Sequence, residues 1–330
     1  MGTAHKTALV AGAGGFIGGH LVAALLRDED TSVRAVDIRP HEDWHQCFAQ
    51  AESLQLDLSG LDACLEAVDG VDDVYNLAAD MGGVGYLTAH RALCMLSVLI
   101  NTNLLRAAQR RGVQRYFYAS SACVYPTSRQ STSTVSPLRE DEVLPALPDG
   151  SYGWEKLFAE LMCQEFSAEM GLPTRIARLH NVYGPWGTYR GGREKAPAAI
   201  CRKVAEADLS GHHEIEIWGD GEQTRSFTYV ADCIDGIGRI MGREAGGALN
   251  LGSSELVTIN QLVHLVEQAA GISVRRRHDI TAPEGVRGRN SDNTLILAQL
   301  GWEPSTPLRE GIAHTYSWVR ERLAADAELA

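Results

Sequence analysis

The chain has 330 residues, of which 45% are hydrophobic and 22% are charged, a composition typical of globular proteins. Its formal net charge of −12 disfavours nucleic acid and anionic membrane as partners. It has seven cysteines but no Cys-x-x-Cys pair, and no apolar run approaches the ~18 residues of a transmembrane helix. We therefore expect a cytoplasmic protein with neither a disulfide framework nor a metal site.

Short apolar runs alternate with longer helical patterns in the first half of the chain. Strands are predicted at 7–11, 33–37, 54–58, 74–77, 115–119 and 174–179. Helices are predicted at 16–27, 88–111 and from Tyr152 to just before Gly171. This order predicts an α/β fold with a doubly wound parallel sheet of the Rossmann type.

The sequence pattern changes after Asn181, where the predicted elements become shorter and less regular. Glycine, proline and arginine are frequent up to Lys195. We expect a dinucleotide-binding domain at 1–178 and a smaller C-terminal α/β substrate domain at 179–330. A segment near 222–250 is expected to return to the first domain.

A glycine-rich turn joins the first strand to the first helix. Residues without a Cβ let the backbone approach a pyrophosphate, and the start of the helix offers N–H donors and the positive end of its dipole. Ala78, after the strand predicted at 74–77, is also expected to contact the cofactor. The turn therefore predicts a dinucleotide site that includes Gly12, Gly15, Phe16, Ile17 and Gly18.

Asp37 ends the second predicted strand, where a carboxylate accepts hydrogen bonds from a ribose diol and repels a 2′-phosphate. It favours NAD over NADP, although Arg39 close by acts in the opposite sense. Asp57 ends a later strand and either contacts the adenine or belongs to a turn.

Tyr152 and Lys156 stand four residues apart on one predicted helix, so their side chains share a face. Ser121 lies at the end of an earlier strand, on the edge where parallel sheets hold ligands. Removing a hydride from a carbinol requires a base for the hydroxyl proton, and a nearby cation brings a phenol towards that role. We expect Lys156, together with the nicotinamide ring, to lower the pKa of Tyr152, and Ser121 to orient the same oxygen.

These motifs together resemble the extended short-chain dehydrogenase/reductases over nearly the whole chain. Asn181-Val-Tyr-Gly-Pro and Arg225-Ser-Phe-Thr-Tyr-Val also resemble that family's sugar-nucleotide segments. The resemblance implies that Asn181 and Arg225 contact the diphosphate of the substrate. The basic residues near 190–203 and 275–289 form either such an anion site or solvated faces.

Four segments narrow the resemblance to the GDP-mannose 3,5-epimerases. They are Ser120-Ser121-Ala122-Cys123, Ala79-Asp80-Met81-Gly82-Gly83, Gly191-Gly192-Arg193-Glu194-Lys195 and the stretch 284–293. The resemblance implies that carbon 4 is oxidised and that Cys123 and Lys195 exchange protons at the carbons beside the ketone. It also implies a homodimer, formed through the helices near 88–111 and 152–170. The substrate, a GDP-hexose, would contact Gly82, Gly83, Ser121, Asn181, Arg193, Glu194, Lys195, Lys203, Arg225 and Arg287.

Two departures leave the outcome of the reaction open. Trp154 stands where plant members carry an aliphatic residue, and Tyr86-Leu87-Thr88-Ala89-His90 also differs from their pattern. The product is therefore GDP-L-gulose if carbon 5 alone is inverted, or GDP-L-galactose if carbons 3 and 5 both are. Another epimerase, acting at carbon 4 or on a UDP- or TDP-sugar, is one alternative. A non-catalytic NAD-binding regulator is the other.

Overall fold

The computed structural model describes residues 5–329 of the chain. Its strands are β1 (Lys6–Ala11), β2 (Thr31–Asp37), β3 (Glu52–Gln55), β4 (Asp73–Asn76), β5 (Arg115–Ser121), β6 (Thr174–Leu179), β7 (Val182–Tyr183), β8 (Glu214–Trp218), β9 (Thr224–Ser226), β10 (Thr228–Tyr229), β11 (Leu249–Leu251), β12 (Leu256–Thr258), β13 (Arg275–Asp279) and β14 (Gly288–Arg289). Its α-helices are α1 (Phe16–Leu25), α2 (Leu61–Ala67), α3 (Val84–Ala89), α4 (Arg91–Arg111), α5 (Gly150–Glu169), α6 (Ala196–Ser210), α7 (Val230–Gly242), α8 (Ile259–Ala270), α9 (Thr294–Leu300) and α10 (Leu308–Leu329).

Seven strands form one parallel sheet in the order β11-β6-β5-β4-β1-β2-β3. The chain starts in the middle of the sheet, winds outward through β2 and β3, and returns to build the other side from β4. Helices cover both faces and bury two separate apolar cores against the sheet. The predicted doubly wound α/β fold is confirmed. The order of the strands reverses between β1 and β4, the place where such sheets hold ligands.

The second half of the chain builds a smaller body around its own core. Helices α6, α8 and α10 pack against one another over short strands. Strand pair β8–β13 and the three-stranded set β12-β9-β14 complete it. One part of this half returns to the first, because α7 packs on α1 and β11 pairs with β6 at the edge of the main sheet.

Two elements differ from the sequence prediction. The helix predicted at 88–111 begins earlier and is divided into α3 and α4, because His90 has φ −121° and ψ 42°, outside the helical region. The strand predicted at 54–58 ends at Gln55. Leu58 is nevertheless buried in the core, which explains an apolar pattern that continues past the strand.

The loops that follow β1, β4 and β5 all lie at the carboxyl edge of the sheet. Residues 12–15 follow β1, residues 77–83 follow β4, and a short 3-10 turn, Ala122–Val124, follows β5. Residues from the second half face these loops. No helix in the described part of the chain is long and apolar enough to span a bilayer.

Candidate active site

A large cavity of about 1510 Å³ opens along the carboxyl edge of the sheet. One end is walled by the glycine turn after β1, the middle by the ends of β4 and β5, and the far end by residues of the second half. The cavity brings together all but one of the predicted site residues: Gly12, Gly15, Phe16, Ile17, Gly18, Asp37, Asp57, Ala78, Gly82, Gly83, Ser121, Cys123, Tyr152, Lys156, Asn181, Arg193, Glu194, Lys195, Lys203 and Arg225. The exception is Arg287.

The glycine turn requires its glycines for conformation and for close packing. Gly12 has φ +82°, and a Cβ there would lie 2.9 Å from the backbone nitrogen of Ala78. A Cβ on Gly18 would overlap the carbonyl oxygen of Gly12, so α1 packs directly on the turn. Gly15 is the N-cap of α1 and lines the cavity. The first N–H groups of a helix have no intrahelical partner, so this wall suits a pyrophosphate.

Asp37 lies at the end of β2 on the same side of the cavity and is only 8% exposed. Its carboxylate is paired with Arg39, whose Nε lies 3.1 Å from Oδ1. Asp57 lines the same end and accepts a hydrogen bond from the backbone N–H of Ser59 at 2.9 Å. The carboxylates of both predicted residues therefore border the cavity, and Asp37 carries its own counter-ion.

Tyr152 and Lys156 occupy one face of α5, with the Lys156 Nζ 5.6 Å from the centroid of the Tyr152 ring. The ammonium also lies 3.8 Å from a carboxylate oxygen of Glu155 and 4.8 Å from the centroid of the Tyr118 ring. Burial raises the pKa of Tyr152 well above its usual value, the charges of Cys123 and Glu155 add to this, and a hydrogen bond with Ser121 opposes it. In the protein alone burial therefore dominates, and the prediction that Lys156 together with the nicotinamide ring lowers this pKa stays a prediction for the enzyme with its cofactor bound.

Cys123 sits in the 3-10 turn after β5, where its backbone N–H donates to Ser121 Oγ at 3.2 Å. Helix α5 packs against this turn so closely that a Cβ on Gly153 would overlap the Cys123 carbonyl oxygen. Trp154 lies on the outer face of α5, 48% exposed and away from the cavity wall. The first departure from the family pattern is therefore outside the site.

Lys195 is the N-cap of α6 and lines the cavity across from the strand ends. Burial lowers the pKa of its ammonium; the charge of Cys123 opposes that shift, and Arg289 adds to it. These charge interactions link Lys195 to both neighbours. The thiol and the amine that the resemblance singled out thus share one cavity with Tyr152.

Arg289 is a site residue that the sequence indicated only as one of a basic group, either an anion site or a solvated face. It is 5% exposed, and its guanidinium donates to Cys123 Sγ at 3.3 Å, to Asp149 Oδ2 at 2.8 Å and to Gln130 Oε1 at 2.5 Å. The predicted ligand Arg287 is not part of the cavity wall; it pairs with Asp220 at 2.8 Å and with Glu284 at 3.2 Å. The two arginines stand two residues apart in the sequence. The partners of each side chain, which the local sequence does not reveal, decide which of them faces the site.

The far end of the cavity is rich in cations. Arg225 donates to the carbonyls of Thr224, Glu284 and Val286, and no carboxylate in the described part of the chain forms an ion pair with it. Burial, with Arg289 nearby, lowers its pKa to about 10. Lys203 donates to the Glu216 carbonyl at 2.7 Å, and Asn181 donates to the Ser226 carbonyl at 3.0 Å. A cation held only by neutral carbonyls retains its attraction for an anion.

The remaining predicted contacts form the wall between α3 and α6. Gly82 and Gly83 precede α3, and Gly83 touches the backbone of Glu194. The Glu194 carboxylate pairs with Arg202 at 3.4 Å through one oxygen, and its other oxygen is buried without a partner in the described structure. Arg193 lies at the rim, where its guanidinium pairs with Asp80 at 2.7 Å.

Comparison with known proteins gives the same family at the levels of sequence and fold. A family model described as the NAD dependent epimerase/dehydratase family matches residues 8–252. The chain is 43% identical to GDP-mannose 3,5-epimerase 1 of Oryza sativa subsp. japonica over 319 residues, which cover 95% of this chain and 82% of the relative. It is 42% identical to GDP-mannose 3,5-epimerase of Arabidopsis thaliana with the same coverage.

Two solved structures share the fold over nearly the full length of both chains. UDP-glucose 4-epimerase of Thermotoga maritima, solved with UDP-glucose, matches with a TM-score of 0.86 at 25% identity and covers 96% of this chain and 99% of its own. UDP-glucuronic acid 4-epimerase of Bacillus cereus, solved with UDP-glucuronic acid and NAD, matches with a TM-score of 0.82 at 24% identity and the same coverage.

Proposed function

The chain belongs to the NAD-dependent epimerase/dehydratase family, and from that premise we propose that it inverts GDP-mannose at carbon 3, at carbon 5 or at both. It is an NAD-dependent epimerase of nucleotide sugars, and its resemblance to the GDP-mannose 3,5-epimerases is confirmed. The products are GDP-L-galactose, GDP-L-gulose or both. The choice of guanine and mannose follows from the 43% identity to the rice enzyme over 95% of this chain.

The observation that carries the proposal is the meeting of Cys123, Lys195 and Tyr152 in one cavity. Inversion at carbon 4 alone requires a hydride acceptor and one base. Inversion at a neighbouring carbon also requires one group to remove a proton and another to supply one on the opposite face. A thiol and an amine beside the tyrosine meet that additional requirement.

The near end of the cavity fits NAD. A Cβ on Gly12 or Gly18 would collide with backbone, so both positions require glycine. Neither carries a side chain that would keep a pyrophosphate from the start of α1. Asp37 would hold the adenosine ribose, with Asp57 and Ala78 alongside. The chemistry that NAD supplies when bound is the reversible removal of a hydride from carbon 4 of the sugar, together with a positive ring near Tyr152.

The side chains then divide the proton transfers among themselves. Tyr152, oriented by Ser121 and supported by Lys156, takes the hydroxyl proton at carbon 4 and later returns it. The ketone at carbon 4 acidifies the hydrogens on carbons 3 and 5. Cys123 and Lys195 remove and replace those hydrogens, and the lowered pKa of Lys195 suits it to exchange protons nearer neutral pH.

The far end binds the rest of the substrate. Arg225 attracts the diphosphate and Asn181 and Lys203 complete that site, each held by a carbonyl that fixes its direction. Gly82, Gly83 and Glu194 would border the hexose. Residues 1–178 then act as the NAD domain and 179–330 as the substrate domain, with the 222–250 segment reaching back through α7 and β11.

A cytoplasmic location suits a reaction that depends on a thiol. All seven cysteines are unpaired, and reduced cysteines persist in the reducing compartments of a cell. Oxidation of Cys123 would remove one of the two proton-exchanging groups.

We also propose a homodimer assembled through α4 and α5. These helices pack side by side, and their outer faces carry large apolar side chains that are each 43–54% exposed: Leu93, Met95, Leu96, Leu99, Trp154, Phe158 and Leu161. Exposed large apolar side chains on adjacent helices are typical of subunit interfaces. Since α5 also carries Tyr152 and Lys156, the interface would support the helix of the site.

Separate incubations with GDP-mannose, UDP-glucose and TDP-glucose test the function. We expect only GDP-mannose to be converted, and the product to elute as a GDP-hexose inverted at carbon 3, carbon 5 or both. The Tyr152→Phe variant should lose turnover by a factor of about 10² or more, because the base is removed. Inversion of a UDP- or TDP-sugar at carbon 4 with GDP-mannose unchanged would refute the proposal, and binding of NAD without any turnover would indicate a regulator.

A further inference from the structure

We propose that Asp80, Tyr86 and Arg193 form a clasp that positions Lys195 for proton transfer. The inference rests on the proposed function, in which Lys195 exchanges a proton with the sugar. The clasp joins two segments that lie far apart in the chain: residues 80–86 after β4, and residues 188–195 before α6.

Arg193 is engaged on three sides. Its Nη1 donates to Asp80 Oδ1 at 2.7 Å and to the Met81 carbonyl at 3.2 Å, and its Nη2 donates to the Tyr86 hydroxyl at 2.5 Å. Its Cζ also lies 3.8 Å from the centroid of the Tyr86 ring, within the range of a cation–π contact. The guanidinium is therefore occupied by the protein itself.

Tyr86 contacts both other members of the clasp. Its hydroxyl donates to the Asp80 carboxylate, with oxygens at 2.9 and 3.0 Å. Its ring stacks on His90 with centroids 4.2 Å apart and an interplanar angle of 18°, which fixes the ring from the other side. Tyr86 does not line the cavity, so it acts on the reaction only through the residues that it holds.

The backbone continues the contact up to Lys195. The Gly83 N–H donates to the Arg193 carbonyl at 3.0 Å, and a Cβ on Gly83 would overlap the carbonyl oxygen of Glu194. The residue after Glu194 is Lys195, the N-cap of α6. The clasp thus sets the direction in which the chain enters that helix.

Two glycines precede Arg193 in this segment. Gly191 and Gly192 both have positive φ, +88° and +83°, and no neighbouring atom lies within 4 Å of a Cβ built on either. Two successive glycines in the left-handed region form a pliable joint. Without the clasp, Lys195 would be positioned by this flexible joint and by the Glu194–Arg202 ion pair at 3.4 Å. A displacement of about 1 Å in a reacting group can cost about 10²-fold in rate.

The test compares Tyr86→Phe and Tyr86→Ala with a matched hydroxyl deletion in the same segment. Tyr189→Phe is the control, because the Tyr189 hydroxyl makes no hydrogen bond within residues 5–329 and is not part of the cavity wall. Each protein receives NAD and GDP-mannose in heavy water. Two quantities are followed, deuterium entering the sugar at carbons 3 and 5, and reduced cofactor formed by oxidation at carbon 4.

We expect deuterium entry per oxidation event to fall about tenfold in Tyr86→Phe and about 100-fold in Tyr86→Ala. Oxidation at carbon 4 and the KM for GDP-mannose should stay within about twofold of the wild type, and Tyr189→Phe should match it. Amide hydrogen exchange should rise over 188–195 in Tyr86→Ala and stay unchanged in β5, which separates a released segment from a misfolded protein.

Two results would overturn the clasp alone. One is a Tyr86→Phe variant indistinguishable from Tyr189→Phe. The other is a raised KM with an unchanged ratio of deuterium entry to oxidation, which would make Arg193 a substrate ligand. A wild-type protein that turns over GDP-mannose without taking up deuterium would overturn the proposed function and the clasp with it.

Discussion

Arg289 is the charge that links the two proton-exchanging residues. Its guanidinium contacts the Cys123 sulfur, and its charge helps to lower the pKa of Lys195. Asp149 and Gln130 accept hydrogen bonds from it, so groups of the protein itself fix its position. One buried cation therefore acts on a group at each side of the cavity.

This arrangement predicts a shift in the pH profile of Arg289→Gln. A positive neighbour disfavours the ammonium form of Lys195, so its removal should raise the lysine pKa towards the ordinary value of 10.5. The limb of the deuterium-exchange profile that reports Lys195 should move to higher pH. Arg289→Lys, which keeps the charge, should move it less.

Arg287→Gln provides the matched comparison, because Arg287 pairs with Asp220 and Glu284 and is not itself part of the cavity wall. That variant should leave the same limb where it is. A limb that moves in Arg287→Gln and stays fixed in Arg289→Gln would show that the wrong arginine has been assigned.

The sequence predicts those site residues whose roles are set by local spacing. Tyr152 and Lys156 share a face because they stand one helical turn apart, and Ser121 and Cys123 follow directly from the end of β5. Arg289 could not be predicted in this way, since Gln130 and Asp149 lie far away in the sequence. The direction of the pKa shift of Tyr152 could not be predicted from the sequence either, because it depends on burial by several elements.

At the scale of elements, the contact between the glycine turn and α1 can be tested by a substitution in α1, with a substitution in α7 as its control. Gly18→Ala would place a Cβ against the Gly12 carbonyl oxygen, so the turn or the helix must shift and the pyrophosphate wall with it. We expect NAD affinity to fall by about tenfold or more, equivalent to about 1.4 kcal/mol. Titration calorimetry measures this directly.

Gly238→Ala is the control, because Gly238 is exposed within α7 and a Cβ added there would meet no atom within 4 Å. NAD affinity should not change, and the free energy of unfolding should rise by about 0.5–1 kcal/mol, the usual gain for alanine over glycine in a helix. Equal losses of NAD affinity in both variants would contradict a specific role for the turn.

Most element types follow from periodicity, whereas their boundaries depend on tertiary contacts. The predicted strand at 174–179 matches β6, although two of its six residues are arginines. Arg178 is buried because it pairs with Glu160 on α5 at 2.8 Å. No comparable sequence pattern indicates that the predicted helix is interrupted at His90. The helices α3 and α4 are separated by a single residue, and α3 alone contributes to the rim where the clasp forms.

At the scale of the whole molecule, the α4–α5 surface predicts the assembly. Leu96→Glu would bury a charge in the proposed interface, so the dimer should dissociate in sedimentation velocity at concentrations where the wild type stays associated. Leu209→Glu is the control, because Leu209 is 51% exposed against 54% for Leu96 but lies on α6. A wild type that sediments as a monomer, or a Leu96→Glu variant that remains dimeric, would exclude this interface.

Proton exchange beside carbon 4 is the central step of the proposed reaction. Proton NMR of the enzyme with NAD and GDP-mannose in deuterated buffer measures it. We predict that solvent deuterium enters at carbon 5, carbon 3 or both, and that Cys123→Ala abolishes or strongly slows this entry while oxidation at carbon 4 continues. Inversion without deuterium uptake, or an unchanged uptake rate in Cys123→Ala, would contradict it.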